Sequence, residues 1–231
     1  MRQRTNAVRD LAGAVPLPRP RTTMIPNPNW KTLPSLQFAP TAWSKLLYLR
    51  DRGETEVGGF GLSAADDLLY VEDVRLVQQE TTMLTVAFAD ESVAQLFDEQ
   101  VDLGRRLEQC GRIWVHTHPG HSADPSNTDE ETFARCFGST DWAVMFILAC
   151  SGQTYARLRF NVGPGGSLLI PAFVDYGREF LASDQAAWEA EYQANVQPLD
   201  LGVRRGEPLG DWDCFESDEE LEEFKRRTHD V

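Results

Sequence analysis

Residues 41–52 read TAWSKLLYLRDR, placing Trp43, Leu46, Leu47 and Leu49 at roughly helical spacing with Gly53 behind them as a stop. Apolar residues recurring about every 3.6 positions form one face of a helix, so a helix is predicted over 41–52. The runs VGGFGLSA, LLYVEDVRLV and MLTVAF that follow are short, β-rich and separated by turn residues such as Ala65-Asp66-Asp67, which predicts consecutive strands. From Asp90 to Gln109 the residues Val93, Leu96, Phe97, Val101, Leu103 and Leu107 return to helical spacing, with Gly111 ending the run. That predicts a second helix. RIWVHTH, DWAVMFILAC and TYARLRF read as further strands, the last two bracketing the turn Ser151-Gly152. NVGPGGSLLIPAFV, 161–174, predicts a Gly-rich loop and a last strand, and 178–195 an amphipathic helix with Phe180, Leu181, Trp188 and Tyr192 as its apolar positions. One sheet with helices packed on it is the economical α/β architecture.

Composition narrows this picture. A chain of 231 residues that is 42% hydrophobic can bury one sizeable core without staples. Cys110, Cys136, Cys150 and Cys214 lie far apart and form no C-x-x-C pair, so neither a zinc ribbon nor a disulfide framework is expected. No apolar run reaches the ~18 residues of a membrane span, and the N-terminus lacks the apolar stretch of a secretory signal; a soluble cytoplasmic protein is expected.

Charge then divides the chain. Residues 1–31 hold six basic residues against Asp10 alone, or +5, which leaves −19 on the rest of a chain of net charge −14. An acidic body argues against nucleic acid as the ligand and favours a partner with a basic face. The expected organisation is a basic Pro-rich arm at 1–35, one domain at 36–197 and an acidic extension at 198–231.

The stretch 116–129, HTHPGHSADPSNTD, carries three of the four histidines. His116 and His118 lie two apart at the end of a strand, so both imidazoles project to one side. Pro119, Gly120 and Pro125 force a loop, and a helix is predicted to start near Ser126 to Thr128, where Thr128 and Glu131 have capping-box spacing. Asp129 then falls in its first turn, facing back to the strand end. Two imidazoles, one carboxylate and an open fourth position make a ligand set of the catalytic zinc type, and zinc lowers the pKa of its water to about 7. Hydrolysis also needs a proton carrier. GETEVGGFGLSA offers Glu54 and Glu56, of which Glu56 is chosen, with Glu54 the alternative if the register is off by two. Ser126 is placed to donate to an oxyanion and to cap the helix. His121 reads as a surface residue, Asp124 as a turn residue before Pro125, and His229 as bland.

His116-Thr117-His118, seven residues, Ser126, two residues and Asp129 match the H-x-H-x7-S-x2-D pattern, and the chain resembles the JAMM metalloproteases, also called MPN+ or JAB domains. Glu56 with Val57-Gly58-Gly59-Phe60-Gly61 resembles that family's glutamate strand. The resemblance covers roughly residues 38 to 175. It implies a cytidine-deaminase-like fold, a mixed central β-sheet flanked by helices. It implies one zinc per chain on His116, His118 and Asp129, Glu56 as general acid/base and Ser126 as oxyanion stabiliser. The implied reaction is cleavage of the isopeptide or peptide bond after the C-terminus of a ubiquitin-like protein. Partners would be that modifier and its conjugates, with E1-like or E2-like enzymes of the same pathway. In relatives a loop near 161–174 helps hold the substrate's C-terminal tail. The absence of a long insertion and the three lysines, Lys31, Lys45 and Lys225, look more like a prokaryotic stand-alone member. Nucleobase deaminases of this fold use H-x-E with a later P-C-x-x-C, which this chain lacks. The alternative is a non-catalytic scaffold module for a ubiquitin-like or sulfur-carrier pathway; such members typically lack the ligands, and all are present here.

Overall fold

The computed structural model describes residues 34–199, so nearly all of the expected arm and acidic extension lie outside the described residues. Among the described residues two sheets and five helices make a mixed α/β fold. After a short strand β1 (Leu36–Phe38), helix α1 (Pro40–Arg52) starts on a proline, whose fixed φ suits a first turn. It buries Ala42, Leu46 and Leu49. Strands β2 (Gly58–Ser63) and β3 (Tyr70–Arg75) follow, then the hairpin β4 (Gln79–Thr81) and β5 (Val86–Phe88). Helices α2 (Asp90–Asp102) and α3 (Leu107–Cys110) lead into β6 (Ile113–His118). Helix α4 (Asn127–Phe137), strands β7 (Trp142–Ala149), β8 (Thr154–Phe160), β9 (Gly166–Leu169) and β10 (Ala172–Val174), helix α5 (Gln185–Asn195) and β11 (Val196–Pro198) complete the order.

The main sheet runs β10-β1-β3-β2-β6-β7-β8-β9, and a small one runs β11-β4-β5. Strands β9 and β10 are joined by two residues yet end the ladder on opposite sides, so the sheet curls until its edges approach; Ile170 N–H donates to Ala156 C=O at 3.0 Å. From Ala143 to Ala149 strand β7 is buried at every position, as a near-continuous apolar run between two covered faces must be.

Alternation in β6 assigns the faces. Ile113 and Val115 join Leu46, Val71 and Phe146 on the α1 side, whereas Trp114 joins Phe133, Phe137, Met145 and Ile147 on the α4 side. His116 and His118 continue the Trp114 face toward the strand end. The core thus lies on both sides of the sheet, with the histidines at the margin of one half. Among the described residues no helix is long and apolar enough to cross a membrane.

Several local expectations change. The helix predicted over 90–109 is two helices, because Gly104 adopts φ 86° and breaks the first; Leu103 and Leu107, expected on its buried face, are exposed. The strand expected over 83–88 shrinks to 86–88 because Thr82–Thr85 forms the turn, with Thr82 N–H donating to Thr85 C=O at 2.9 Å. The helix expected over 178–195 begins only at Gln185, where the Asp184 carboxylate accepts from Ala187 N–H at 3.0 Å. Phe180 and Leu181 are consequently exposed, while Trp188 and Tyr192 are buried as expected. The last strand divides at Ile170-Pro171 into β9 and β10, and the short β1, β4 and β11 had no sequence signal strong enough to reveal them.

Candidate metal centre

Pairing of β2 with β6 builds the site before any side chain is considered. The strands are antiparallel, with Gly58 opposite His116, so Glu56, just ahead of β2, falls opposite His118. Thr117 fastens this junction: its N–H donates to Val57 C=O at 2.9 Å and its Oγ1 accepts from Val57 N–H at 3.0 Å. Glu56 N–H donates to Thr82 C=O at 2.8 Å, so the residue is held from two sides.

Helix α4 delivers the fourth group. Ser126 is its N-cap, and the box closes on Asp129 rather than between Thr128 and Glu131: Ser126 Oγ accepts from Asp129 N–H at 3.2 Å, while Asp129 Oδ2 accepts from Ser126 N–H at 2.7 Å. Ser126 Oγ also donates to Asp129 Oδ2 at 2.8 Å. With Oδ2 committed to the cap, Oδ1 turns to the sheet and lies 3.2 Å from His116 Nε2. His118 Nε2 is 3.5 Å from Asp129 Oδ2 and 3.6 Å from Glu56 Oε1.

One potential ligand atom from each of Glu56, His116, His118 and Asp129 lies within 4.8 Å of the others. Glu56 Oε2, both nitrogens of His116 and Nε2 of His118 are buried with no hydrogen-bond partner among the described residues. Leaving a buried polar atom unpaired costs about 1–3 kcal/mol, and native proteins avoid it. One ligand atom from each of the four residues can face a common point, a set that fits a cation. The tautomer agrees: His118 Nδ1 lies 3.1 Å from Ser122 C=O, and a carbonyl only accepts, so Nδ1 carries the proton and Nε2 keeps its lone pair for the site. His118 is the least covered of the four, its side chain 12% exposed, so solvent reaches the cluster from its side.

Electrostatics separates the two carboxyls. Burial, then the neighbouring Asp129 charge, pushes Glu56 well above the usual carboxylate range. Burial works against the charged form of Asp129 as well, yet the His116 and His118 imidazoles and the Ser126 N–H outweigh it and hold that carboxyl well below its ordinary value. Burial lowers His116 and keeps its imidazole neutral, as a ligand requires. One carboxylate stays charged while the other readily holds a proton, an arrangement found where acid and base roles are divided.

The remaining candidates fall outside the cluster. Glu54 and His121 are exposed; His121 Nδ1 lies 3.7 Å from Cys150 Sγ. Asp124 Oδ2 accepts from Ser122 Oγ at 3.0 Å, within a turn. The Gly-rich turn after Phe160 lies at the other end of β7 from the site: Phe160 pairs with Trp142 at the start of that strand, whereas His118 pairs with Ala149 at its end. At about 3.3 Å per residue the turn lies roughly 20 Å from the cluster.

Three supporting residues escaped the sequence reading. Gln79 holds the start of β2, its Oε1 accepting from Gly58 N–H and its Nε2 donating to Gly58 C=O, both at 2.8 Å. The Trp114 ring stacks on His116 with centroids 4.3 Å apart, a partner that alternation along RIWVHTH could have suggested. Arg157 reaches Glu130, beside Asp129; nothing local in the sequence announces that pairing. No model of a known protein family, and no characterised protein, matches the chain.

Proposed function

We propose that the chain is a zinc-dependent isopeptidase or peptidase of the JAMM type, with a cytidine-deaminase-like JAB domain, that cleaves after the C-terminus of a ubiquitin-like protein. The observation that carries this reading is the buried convergence of Glu56, His116, His118 and Asp129 with four unpaired polar atoms, joined to the spacing of His116, His118, Ser126 and Asp129. Two imidazoles and a carboxylate suit zinc, with His116, His118 and Asp129 as its ligands. Bound there, the ion would supply Lewis acidity, polarising an amide carbonyl and bringing the pKa of a water to about 7.

The chain's own groups do the rest. His118 presents Nε2 because Ser122 C=O holds its Nδ1–H, and Asp129 presents Oδ1 because its cap holds Oδ2. Glu56 takes the proton from the attacking water on its carboxylate and returns it to the leaving amine; burial raises its carboxyl, which makes the carboxylate a stronger base toward that water. Ser126 Oγ donates to the developing oxyanion by turning from Asp129 Oδ2, a short rotation of a hydroxyl already at the site. A non-catalytic scaffold would have no use for a buried, unpaired proton carrier facing two imidazoles.

The test uses the full chain and a ubiquitin-like protein fused through its C-terminal glycine to a reporter. One zinc per chain, cleavage that stops with a chelator, and a Glu56→Gln variant that keeps zinc but does not cleave are expected. Absence of stoichiometric zinc, or cleavage persisting without metal, would overturn the proposal. Normal cleavage by Glu56→Gln would move the base to Glu54 or elsewhere.

A further inference from the structure

Asp129 is the only member of the cluster carried by a helix, so its place depends on how α4 sits on the sheet. Phe133 and Phe137 bury the apolar side of α4, which sets its depth. Apolar packing is non-directional and does little to fix a rotation of the first turn about the helix axis. A directional contact stands at that turn. Arg157 Nη1 donates to Glu130 Oε1 at 2.8 Å and Nη2 to Glu130 Oε2 at 2.6 Å, a two-pronged ion pair. Its Arg157 side chain is 18% exposed, and the guanidinium carbon lies 5.5 Å from the Phe133 ring centroid and 5.9 Å from that of Tyr155. Such a fork fixes angle as well as distance, which a lysine cannot do.

The anchor at the other end of this pair is the sheet that carries the histidines. Arg157 is opposite Met145, and Met145 is opposite Trp114, whose ring stacks on His116 and, at 6.3 Å, on Phe133. A rotation of α4 that moved Asp129 from His116 would have to break the fork on Glu130. We infer that the Glu130–Arg157 pair is a positioning device for the metal centre: it locks the first turn of α4 so that Asp129 Oδ1 completes the ligand set. This rests on the metal-site reading above. Neither residue touches the cluster; both act through Asp129.

Cobalt(II) is the probe, bound to the metal-free full chain and to the Arg157→Lys, Glu130→Gln and double variants. Its affinity and visible absorption are read, and the unfolding midpoint of each metal-free protein is measured separately. Each single variant is expected to bind cobalt about tenfold more weakly, the scale of outer residues that orient ligands, with an altered visible band. The double variant is expected to be no weaker than the weaker single, because the pair is lost only once. Affinities within twofold of the unmutated chain, even with a lowered midpoint, would make the pair merely structural and overturn the inference; so would additive losses in the double variant. If the unmutated chain binds no cobalt, the metal-site reading itself fails, an outcome distinct from the other two.

Discussion

On the zinc-site proposal, removing the ion should lower the unfolding temperature of this protein by about 8–16 °C. Four buried side-chain atoms of the cluster, Glu56 Oε2, both His116 nitrogens and His118 Nε2, have no hydrogen-bond partner among the described residues. One ion satisfies at least two of them, a nitrogen from each imidazole; at about 1–3 kcal/mol per atom this relieves about 2–6 kcal/mol. Linkage gives a matching figure from the other side: free zinc at ~1,000 times its Kd stabilises the folded state by about 4.1 kcal/mol. A domain of ~150–250 residues shifts by about 2–4 °C per kcal/mol. The assay is thermal unfolding by circular dichroism at buffered free zinc, after dialysis against a chelator. Unfolded chains also bind zinc through cysteine and histidine, which weakens the effect, so His116→Ala supplies the background. A shift below about 2 °C at that excess, or an equal shift in His116→Ala, would refute the reasoning.

Gly59→Ala should destabilise the protein by about 1–3 kcal/mol or more, measured by urea unfolding, because the added Cβ would lie 2.5 Å from Arg75 C=O, a main-chain atom that cannot step aside. Thr117→Val should cost about 1–3 kcal/mol by leaving Val57 N–H unpaired, and should lower kcat more than zinc content because Glu56 is the neighbour released; Thr117→Ser should restore both. Glu189→Gln tests α1 against α5. The Arg52 hydrogen bond, then those from Tyr48 and Gln193, holds the Glu189 carboxyl down to about 2 from an ordinary 4.5. Because the folded value is the lower, this contact stabilises above pH 4.5 and is lost as pH falls toward 2. The variant's unfolding midpoint should therefore lie below that of the unmutated chain at pH 7, and the gap should close in acid.

Elements with a full period of apolar residues were legible in the sequence. TAWSKLLYLRDR and DWAVMFILAC each carry enough alternation or continuity to fix their type, and their bounds are off by at most one residue at each end. Short edges were not. Strand β4 is Gln-Glu-Thr, three residues whose place comes from pairing with β5 and β11, a nonlocal contact with no local signature. The helix predicted over 90–109 failed because Leu103 and Leu107 satisfy helical spacing while Gly104 takes a left-handed turn between them; periodicity does not register a change of backbone hand. At the site, spacing alone suggested His116, His118 and Asp129, since a strand end and a helix start are local features. That Glu56 rather than Glu54 stands opposite His118 depends on the register of β2 against β6, which nothing local in GETEVGGFGLSA displays. The Glu130–Arg157 fork joins α4 to β8 across 27 residues of sequence and was invisible.

These placements also decide what an ion bound at the site would do for the protein. Small zinc domains fold because they bind metal; their ligands have no fixed arrangement without it. Here Glu56 is held by the β2/β6 junction and by Thr82, His118 by Ser122, and Asp129 by its cap, none of which involves the ion. Apolar clusters on both faces of the sheet, one centred on Phe146 and the other on Met145 and Phe133, supply a core that does not depend on the site. A metal bound here would therefore complete a preformed cluster and relieve its unpaired atoms instead of creating the fold. Stripping it should abolish any chemistry while leaving a folded domain of lower stability, because the energy of the fold and the geometry of the cluster come from different contacts.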